Sequence, residues 1–399
     1  MSQESKSVAV LAFGFGLVGI DRYLISTMYP IIAKDLHLSY RGIGIISGAL
    51  SIAWALSALW MGNLSDHIGR RRVLVGALIV FGLLIGSSGL ATGLMGLVLV
   101  RLVMGFADGA YTPASISATI EASPPERHGR NLGIQQMTLT LFGLGLSPLL
   151  VSALLHFINW RLIFSVFALP GLFLAWLTAR IIPASTPRAS SAKRNSFADW
   201  KKVLSYANIR LLTVAMLCWL VCLVTTSAFM PSYLLYHLHL SFGSMTTVMS
   251  AVGLGAAAGA LTLPWLSDKT GRKPVMLVST VGAGLMLFTL HKLGPIVPLL
   301  FISLFMIHFF NNALITFTVG PVCNETVPAN LTATASGVVI AVGELFGGGF
   351  ATILNGNVAA HFGISNVLWL PLIALGVGFL VCTRLRETLP ALVGERVSA

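Results

Sequence analysis

Apolar residues occur along the chain in long blocks of about 18 to 25 residues, and short polar segments separate the blocks. A helix of that length crosses the roughly 30 Å hydrocarbon core of a bilayer, whereas barrel strands would show apolar and polar residues in alternation. Because that alternation is missing and lipid offers no partner to open backbone groups, the blocks are predicted to be membrane-spanning helices. There are twelve of them, at residues 8–32, 43–61, 73–92, 94–120, 131–154, 161–182, 209–230, 243–266, 275–292, 295–320, 333–354 and 363–383.

A short phrase recurs between two of these blocks in each half of the chain. GNLSDHIGRRR begins at Gly62 and PWLSDKTGRKP begins at Pro264, so each shared residue returns 202 positions later. A repeat at this distance predicts an internal duplication. We therefore expect an all-α membrane protein in which two pseudo-symmetric six-helix bundles occupy residues 1–182 and 209–399, joined by a cytoplasmic linker at 183–208.

Composition identifies lipid as the main solvent of this chain. Hydrophobic residues make up 56% of the sequence, charged residues only 10%, and the mean hydropathy is +0.86. Such a chain has too little polar surface to coat a soluble protein of its length. The longest polar stretch, PASTPRASSAKRNSFADWKK from Pro183, is the expected linker, with one surface helix near residues 197–206.

The basic charge has a topological explanation. Net charge is +12 and the pI is about 10.0, values that nucleic-acid-binding proteins also show. With both termini inside, however, the far side of the membrane would hold only Lys34, Arg41, Arg161 and Lys292. By the positive-inside rule we expect both termini in the cytoplasm, and the basic charge then needs no nucleic-acid partner. The expected location is a bacterial cytoplasmic (inner) membrane.

Small residues and cysteines within the predicted spans suggest packing rather than chemistry. GLGAAAG, from Gly253 to Gly259, lacks the strand-turn-helix context of a phosphate-binding loop, so close helix packing is expected. Cys218 and Cys222 lie one turn apart without a further metal ligand nearby. We expect no cofactor, no metal and no enzyme activity.

Five charged residues lie well inside the predicted spans, away from the span ends, although a charge at the bilayer centre costs about 2.5–3.5 kcal/mol. They are Asp21 and Arg22 in the first span, Arg101 and Asp108 in the fourth, and Glu344 in the eleventh. Two helical turns separate Arg101 from Asp108, which puts both on one face. Such residues line a cavity or form pairs that only lock helices together. Three carboxylates at one depth in different helices favour the cavity.

The repeated SD-x-x-GR loops resemble a signature of the major facilitator superfamily, where it follows the second and eighth helices. RLVMGFADGAYTP, ERHGRNLG and NWRLIF are similar to further motifs, and the resemblance covers essentially the whole chain. It implies two six-helix bundles about a central cavity that opens to each side in turn as the halves rock. Candidate gating residues at the loops are Gly62, Asp66, Gly69, Arg70, Arg130, Asp268, Gly271 and Arg272.

Within the superfamily, IDRYLISTMYPIIAKDLHLS in the first span resembles the anion:cation symporter family. That family carries an Asp-Arg pair there and an acidic residue in the fourth helix followed shortly by proline, which Asp21, Arg22, Asp108 and Pro113 match. The resemblance implies that Arg22 engages a substrate carboxylate while neighbouring acids couple transport to protons. Glu344 departs from the pattern, because such transporters often carry an amide at this place. An extra acid would alter specificity or add a proton site.

Arginine suits the proposed role because its planar fork matches a carboxylate at two points and stays charged. A substrate anion that occupies Arg22 frees an acid to bind a proton, and this exchange constitutes symport. The candidates for proton coupling are Asp21, Asp108, Glu344 and Arg101.

Other polar residues in the spans could line the cavity or make interhelical hydrogen bonds. As substrate-binding residues beside Arg22 and Glu344 we expect Gln136, Asn312 and Tyr233. Four more residues stay open as alternatives, and His308 is expected to be a packing residue. The four are Gln135, Tyr236, Asn311 and Asn355.

Taken together, these features predict a monomeric proton-coupled importer of a small organic anion, such as a sugar acid or a carboxylate. A proton antiporter that exports a drug-like compound or metabolite is the alternative, although the antiporter motif of the fifth helix survives only as GLGLSP. A sensor or scaffold of transporter ancestry is a third possibility, which the intact charges in spans and loops disfavour.

Overall fold

The computed structural model describes residues 3–183, 197–328 and 331–389, with only the backbone described at 59–67, 125 and 197–198. In this part of the chain, twelve helices are long and apolar enough to cross a membrane, which confirms the predicted number. Numbered in chain order, they are helix 1 Gln3–Asp35, helix 2 Tyr40–Ile68, helix 3 Arg70–Ser88, helix 4 Leu94–Ala122, helix 5 His128–Leu154, helix 6 Trp160–Ile181, helix 7 Ala207–His237, helix 8 Phe242–Thr270, helix 9 Arg272–Lys292, helix 10 Val297–Thr326, helix 11 Thr332–Phe362 and helix 12 Ile364–Arg384.

Most observed helices extend a few residues beyond the predicted spans, because a helix continues past the hydrocarbon core into the polar interface. Helix 7 runs to His237 and helix 11 to Phe362, seven and eight residues further than predicted. Helix 10 is interrupted at Gly320 before its last short segment. The surface helix of the linker lies at Phe197–Ser205, as predicted.

The glycine of the repeated phrase has the same conformation in both halves. Gly69 has φ 98° and precedes helix 3, and Gly271 has φ 100° and precedes helix 9. Residues with a Cβ rarely adopt this region of backbone space, so glycine permits the abrupt turn between consecutive helices. The repeat in sequence is thus a repeat in backbone geometry.

Helix pairing also repeats between the halves. In the first half, helix 2 packs on helix 4, helix 3 on helix 6 and helix 1 on helix 5. Helices 8 and 10, 9 and 12, and 7 and 11 make the equivalent pairs in the second half. The twelve described spans therefore form two similar bundles of six helices.

We call the side of the membrane that holds the start of helix 1 and the end of helix 12 the terminal face, and the other side the opposite face. Toward the opposite face the two halves pack closely through small residues. Gly44 and Gly48 of helix 2 lie against the backbone of helix 11 near Gly356 and Gly349. The Tyr236 hydroxyl of helix 7 donates a hydrogen bond to the Pro30 carbonyl of helix 1 at 2.8 Å. The halves are therefore closed together at the opposite face.

The glycine run of helix 8 packs as the sequence predicted. Gly253 meets Gly145 of helix 5, while Gly255 and Gly259 approach the backbone of Phe305 and Phe309 in helix 10. A Cβ at any of these three helix 8 positions would collide with backbone atoms. Glycine therefore allows helix 8 to contact one helix of its own half and one of the other half.

Wide π-helical turns interrupt three membrane helices in the described chain. They lie at Leu141–Leu146 in helix 5, Tyr233–His237 in helix 7 and Gly343–Phe350 in helix 11. The turns in helices 5 and 11 begin 202 residues apart, so they are equivalent under the repeat. Turns of this kind are frequent at functional sites, and the one in helix 11 contains Glu344.

The segment after helix 12 folds back onto the start of helix 9. Both carboxylate oxygens of Glu387 accept hydrogen bonds there, from the backbone N–H groups of Arg272 and Lys273 at 3.0 Å each. Asn208 at the start of helix 7 exchanges hydrogen bonds with the backbone of Arg386. This segment thus joins three helix ends of the second half at the terminal face.

Candidate functional site

The five charged residues predicted from sequence come together near the middle of helices 1, 4 and 11. Asp21, Arg101 and Asp108 are each 1% exposed and Glu344 is 3% exposed, so neither lipid nor bulk water solvates them. Helices 1 and 4 of the first half and helix 11 of the second half contribute them. The cluster therefore lies where the two halves meet.

Arg22 and Glu344 form an ion pair between the halves. Arg22 Nη2 lies 2.8 Å from Glu344 Oε2, and the two side chains are 7% and 4% exposed. Two opposite charges that leave water lose several kcal/mol of solvation each, which their attraction must offset. Burying either side chain in its charged form is therefore costly unless its partner, or another group with the partner's charge, is present.

Two residues of helix 2 also contact Arg22. The guanidinium lies over the Trp54 ring, 4.2 Å from its centroid, and Nη2 is 3.4 Å from the Ser51 hydroxyl oxygen. Sequence reasoning missed both residues. A signal was available, because tryptophan favours the membrane interfaces and Trp54 lies well inside a span, three residues after a serine. The Trp54 ring thus covers one face of the guanidinium and the Ser51 hydroxyl lies at its edge, so that together they orient it.

Arg101 pairs with Asp21 rather than with Asp108 of its own helix. Its Nη1 donates to the backbone carbonyl of Asp21 at 2.7 Å and lies 3.4 Å from Asp21 Oδ1. Among the described residues, Arg101 Nε and Nη2 and Asp21 Oδ2 find no hydrogen-bond partner. This pair joins helices 1 and 4 within the first half and retains unused hydrogen-bonding capacity.

Asp108 is the carboxyl of the cluster that has no direct partner among the described residues. Neither of its oxygens makes a hydrogen bond to any residue that the structure describes. It interacts electrostatically with Asp21, Arg22, Arg101 and Glu344. A proton or a rearranged arginine at Asp108 would therefore affect the other four groups.

A cavity lies between the halves beside Arg22. It has room for about one or two water molecules, far less than an organic anion needs. Its wall combines four serines and two arginines with apolar groups, and helices 1, 2, 4 and 7 supply it. The lining residues are Arg22, Tyr23, Ile25, Ser26, Ser47, Leu50, Ser51, Arg101, Val224, Ser227 and Ala228.

The three further residues predicted to bind substrate lie in different surroundings. Tyr233 is fully buried, and its hydroxyl has no partner within the described chain. Asn312 donates to the Ala256 carbonyl at 3.0 Å and so ties helix 10 to helix 8. Gln136 is exposed near the terminal face, one turn before the buried Thr140. None of the three is among the residues that line the described cavity.

The polar residues left open make hydrogen bonds between helices. Gln135 donates to the Ser115 hydroxyl, and Asn311 donates to the Trp219 carbonyl at 3.1 Å. Asn355 donates to the Val367 carbonyl at 3.0 Å. His308 is fully buried and lies 3.2 Å from the Thr226 hydroxyl, in agreement with a packing role.

The candidate gating residues pair within their own halves in this conformation. Arg272 contacts Asp268 at 2.6 Å and Glu325 at 2.9 Å, and Arg70 contacts Glu121 at the equivalent place in the first half. Arg130 donates to the Asn131 side chain at 3.4 Å. Gly62 and Asp66 lie in the segment 59–67, of which the structure describes only the backbone.

Two pseudo-symmetric six-helix bundles with a buried charged cluster at their interface define a secondary transporter. The profile of the Major Facilitator Superfamily matches residues 11–352 and 237–397. The chain belongs to this superfamily, whose members carry metabolites across membranes rather than convert them.

Individual relatives agree with the resemblance to anion transporters. The chain is 24% identical to the sialic acid transporter NanX of Escherichia coli, over 93% of its own length and 91% of that protein. It is 26% identical to the hexuronate transporter of Bacillus subtilis, over 69% of its own length and 68% of that protein. Among solved structures, the nucleoside transporter NupG matches with a TM-score of 0.79 at 17% identity, covering 96% of this chain and 98% of that one, which supports the fold.

Proposed function

We propose that this transporter takes up a small organic anion together with protons, by alternating access of its two halves. The observation that carries the proposal is Arg22, a buried arginine beside a cavity at the boundary between the halves. A guanidinium there offers a carboxylate two parallel hydrogen bonds in a dry environment. Relatives named for sialic acid and hexuronate transport support an acidic sugar or a related carboxylate as substrate.

Proton coupling is proposed for the acids around Arg22. Asp21, Asp108 and Glu344 share two arginines, Arg22 and Arg101, so an anion that takes one arginine changes the balance of charge for all of them. Arg101 would act through Asp21. A proton that enters with the anion restores the balance in the buried cluster.

Rocking of residues 1–182 against 209–399 would expose the cluster to each side in turn, with residues 183–208 as the connection in sequence. We propose the terminal face as the cytoplasmic one, on the distribution of basic residues, in a bacterial inner membrane. The pairs at Arg70 and Arg272, with the rest of the repeated loops, would then control opening at the cytoplasmic side.

Uptake by proteoliposomes tests the proposal. The purified protein is reconstituted, the interior is made alkaline relative to the outside, and glucuronate, N-acetylneuraminate, benzoate and succinate are supplied as radiolabelled probes. Symport predicts accumulation of at least one anion above its outside concentration, and a protonophore should abolish it. Proton-driven loss of preloaded anion under the same gradient would instead identify the antiporter.

A further inference from the structure

Glu344 occupies the place at which a substrate carboxylate would meet Arg22. Its Oε2 lies 2.8 Å from Arg22 Nη2, while Trp54 covers one face of the guanidinium and Ser51 lies beside the same nitrogen. The adjacent cavity holds about one or two water molecules. An anion therefore cannot pair with Arg22 from the cavity side while Glu344 stays in position.

We propose that Glu344 is an internal competitor of the substrate, which the anion displaces from Arg22 and which takes up the coupled proton as it leaves. The inference rests on the proposed function, since it assumes that Arg22 receives the carboxylate of the substrate. It assigns to Glu344 both the specificity for an anion and the link to the proton.

The surroundings of Glu344 explain why displacement would require a proton. Helices 2 and 7 pack against its segment with neutral groups, among them Ser51, Ile52 and Leu217. The charged or titratable groups that interact with Glu344 in the described chain are Arg22, Tyr23 and Asp108. Once Arg22 is taken by the anion, a carboxylate left in this position is buried without a counter-ion, which costs several kcal/mol.

The exchange balances in charge and atoms. One substrate carboxylate replaces one glutamate carboxylate at Arg22, and one proton from the aqueous side that is open at that moment binds to Glu344. No covalent bond other than the O–H bond forms or breaks. Because Arg22 is in helix 1 and Glu344 in helix 11, the same exchange removes an ion pair between the halves and frees them to move.

Isothermal titration calorimetry measures the proton directly. Glucuronate and N-acetylneuraminate are titrated into the detergent-solubilised protein at pH 8 in buffers of different ionisation enthalpy, which reports how many protons bind with each anion. The wild-type protein should take up one proton per anion, so its Kd should rise about tenfold for each pH unit over the range in which that proton is taken up.

Glu344→Gln and Glu344→Ala remove the competitor and the proton site together. Both variants should bind the anion without proton uptake, with a Kd independent of pH and about tenfold or more below the wild-type value at pH 8. Asp35→Asn is the matched control, because Asp35 pairs with Arg161 at 2.9 Å within one half. That variant should keep the wild-type proton uptake and pH dependence.

The outcomes separate the inference from the proposed function. Anion binding that takes up no proton in the wild-type protein, or that still takes up one in both Glu344 variants, would overturn the role of Glu344 and leave Arg22 as the anion site. If no carboxylate binds the wild-type protein or either variant, the proposed function fails and the inference fails with it. Thermal unfolding in detergent shows whether each variant is folded.

Discussion

Arg22 makes three contacts: an ion pair with Glu344, a stacked Trp54 ring and a nearby Ser51 hydroxyl. A lysine ammonium keeps the charge but loses the planar fork and the stacking surface. Since hydrogen bonds to charged groups contribute about 1.5–3 kcal/mol, Arg22→Lys should weaken anion binding roughly 10- to 150-fold. Calorimetric titration with the panel of carboxylates measures this loss.

Arg210→Lys is the control for that substitution, because Arg210 is exposed and donates to backbone carbonyls near the start of helix 7. It should bind the anion as the wild-type protein does. Unchanged affinity in a folded Arg22→Lys protein would remove Arg22 from the substrate site.

The residues of the cluster could be predicted from sequence, but their pairing could not. Depth alone identified Asp21, Arg101 and Glu344, because a charge in the middle of an apolar span needs a partner or water wherever the helix lies. Which arginine meets which acid depends on how helices 1, 4 and 11 are rotated and spaced. That is decided by packing between segments distant in sequence. Trp54 was not predicted for a related reason, since an aromatic residue in a span usually belongs to the packed core.

At the scale of the helices, Glu387 acts as a cap for helix 9. Partial burial by itself would raise the pKa of Glu387, but hydrogen bonds from four backbone N–H groups hold it below its usual value. A lowered pKa in the folded state means that the carboxylate stabilises the protein above the unfolded value of about 4.3, and that this stability is lost as the pH falls through the folded value.

We therefore expect Glu387→Ala to lower the free energy of unfolding by about 1–2 kcal/mol at pH 7, since two N–H groups at the start of a helix lose a charged acceptor. Thermal unfolding in detergent at pH 7 and at pH 4 measures the difference, which should shrink at the lower pH. The exposed Glu126 supplies the control variant, Glu126→Ala, with little change expected. Equal unfolding temperatures for the two variants at pH 7 would contradict the capping role.

The crossing of helices 2 and 11 controls closure at the opposite face. A Cβ at Gly48 would lie 2.9 Å from the Gly349 carbonyl oxygen and 2.5 Å from Ile353 Cγ1. Because overpacking of this kind costs about 1–3 kcal/mol, Gly48→Leu should shift the population away from the closed opposite face by about tenfold. Distances between spin labels at the opposite-face ends of helices 2 and 11 should lengthen accordingly.

Gly76 of helix 3 allows a matched control, since a Cβ there meets nothing within 4 Å. Gly76→Leu should leave the distances unchanged. If Gly48→Leu is folded and gives the same distance distribution as the wild-type protein, the small-residue crossing does not hold this face closed.

At the scale of the whole molecule, hydropathy and the repeat were sufficient to predict twelve spans and two bundles, because lipid allows few other solutions. They could not predict that the halves close at the opposite face. Conformations that differ by a rocking motion bury similar apolar surface. Which of them has the lowest free energy depends on contacts such as those of Gly48 and Tyr236. The π turn of helix 11 could not be predicted either, since it does not clearly change the periodicity of apolar residues.

The charge count of the buried cluster has an electrical consequence. Two arginines and three carboxyls sum to −1 when all are ionised, so one resident proton makes the empty cluster neutral. A monovalent anion that arrives with one further proton keeps it neutral. Moving one elementary charge through 100 mV requires about 2.3 kcal/mol, but a carrier that is neutral both empty and loaded moves none.

The rate of uptake of a monovalent anion should therefore be independent of the membrane potential. In proteoliposomes, an inside-negative potential set by potassium and valinomycin should leave glucuronate uptake under a pH gradient unchanged. The same potential should retard succinate, which enters with one uncompensated negative charge. Faster glucuronate uptake at negative potential would mean that more than one proton accompanies each anion. In a cell, uptake by this transporter would thus be driven by the pH gradient and not by the membrane potential. Uptake would stop when the medium becomes alkaline, even if the membrane potential is maintained.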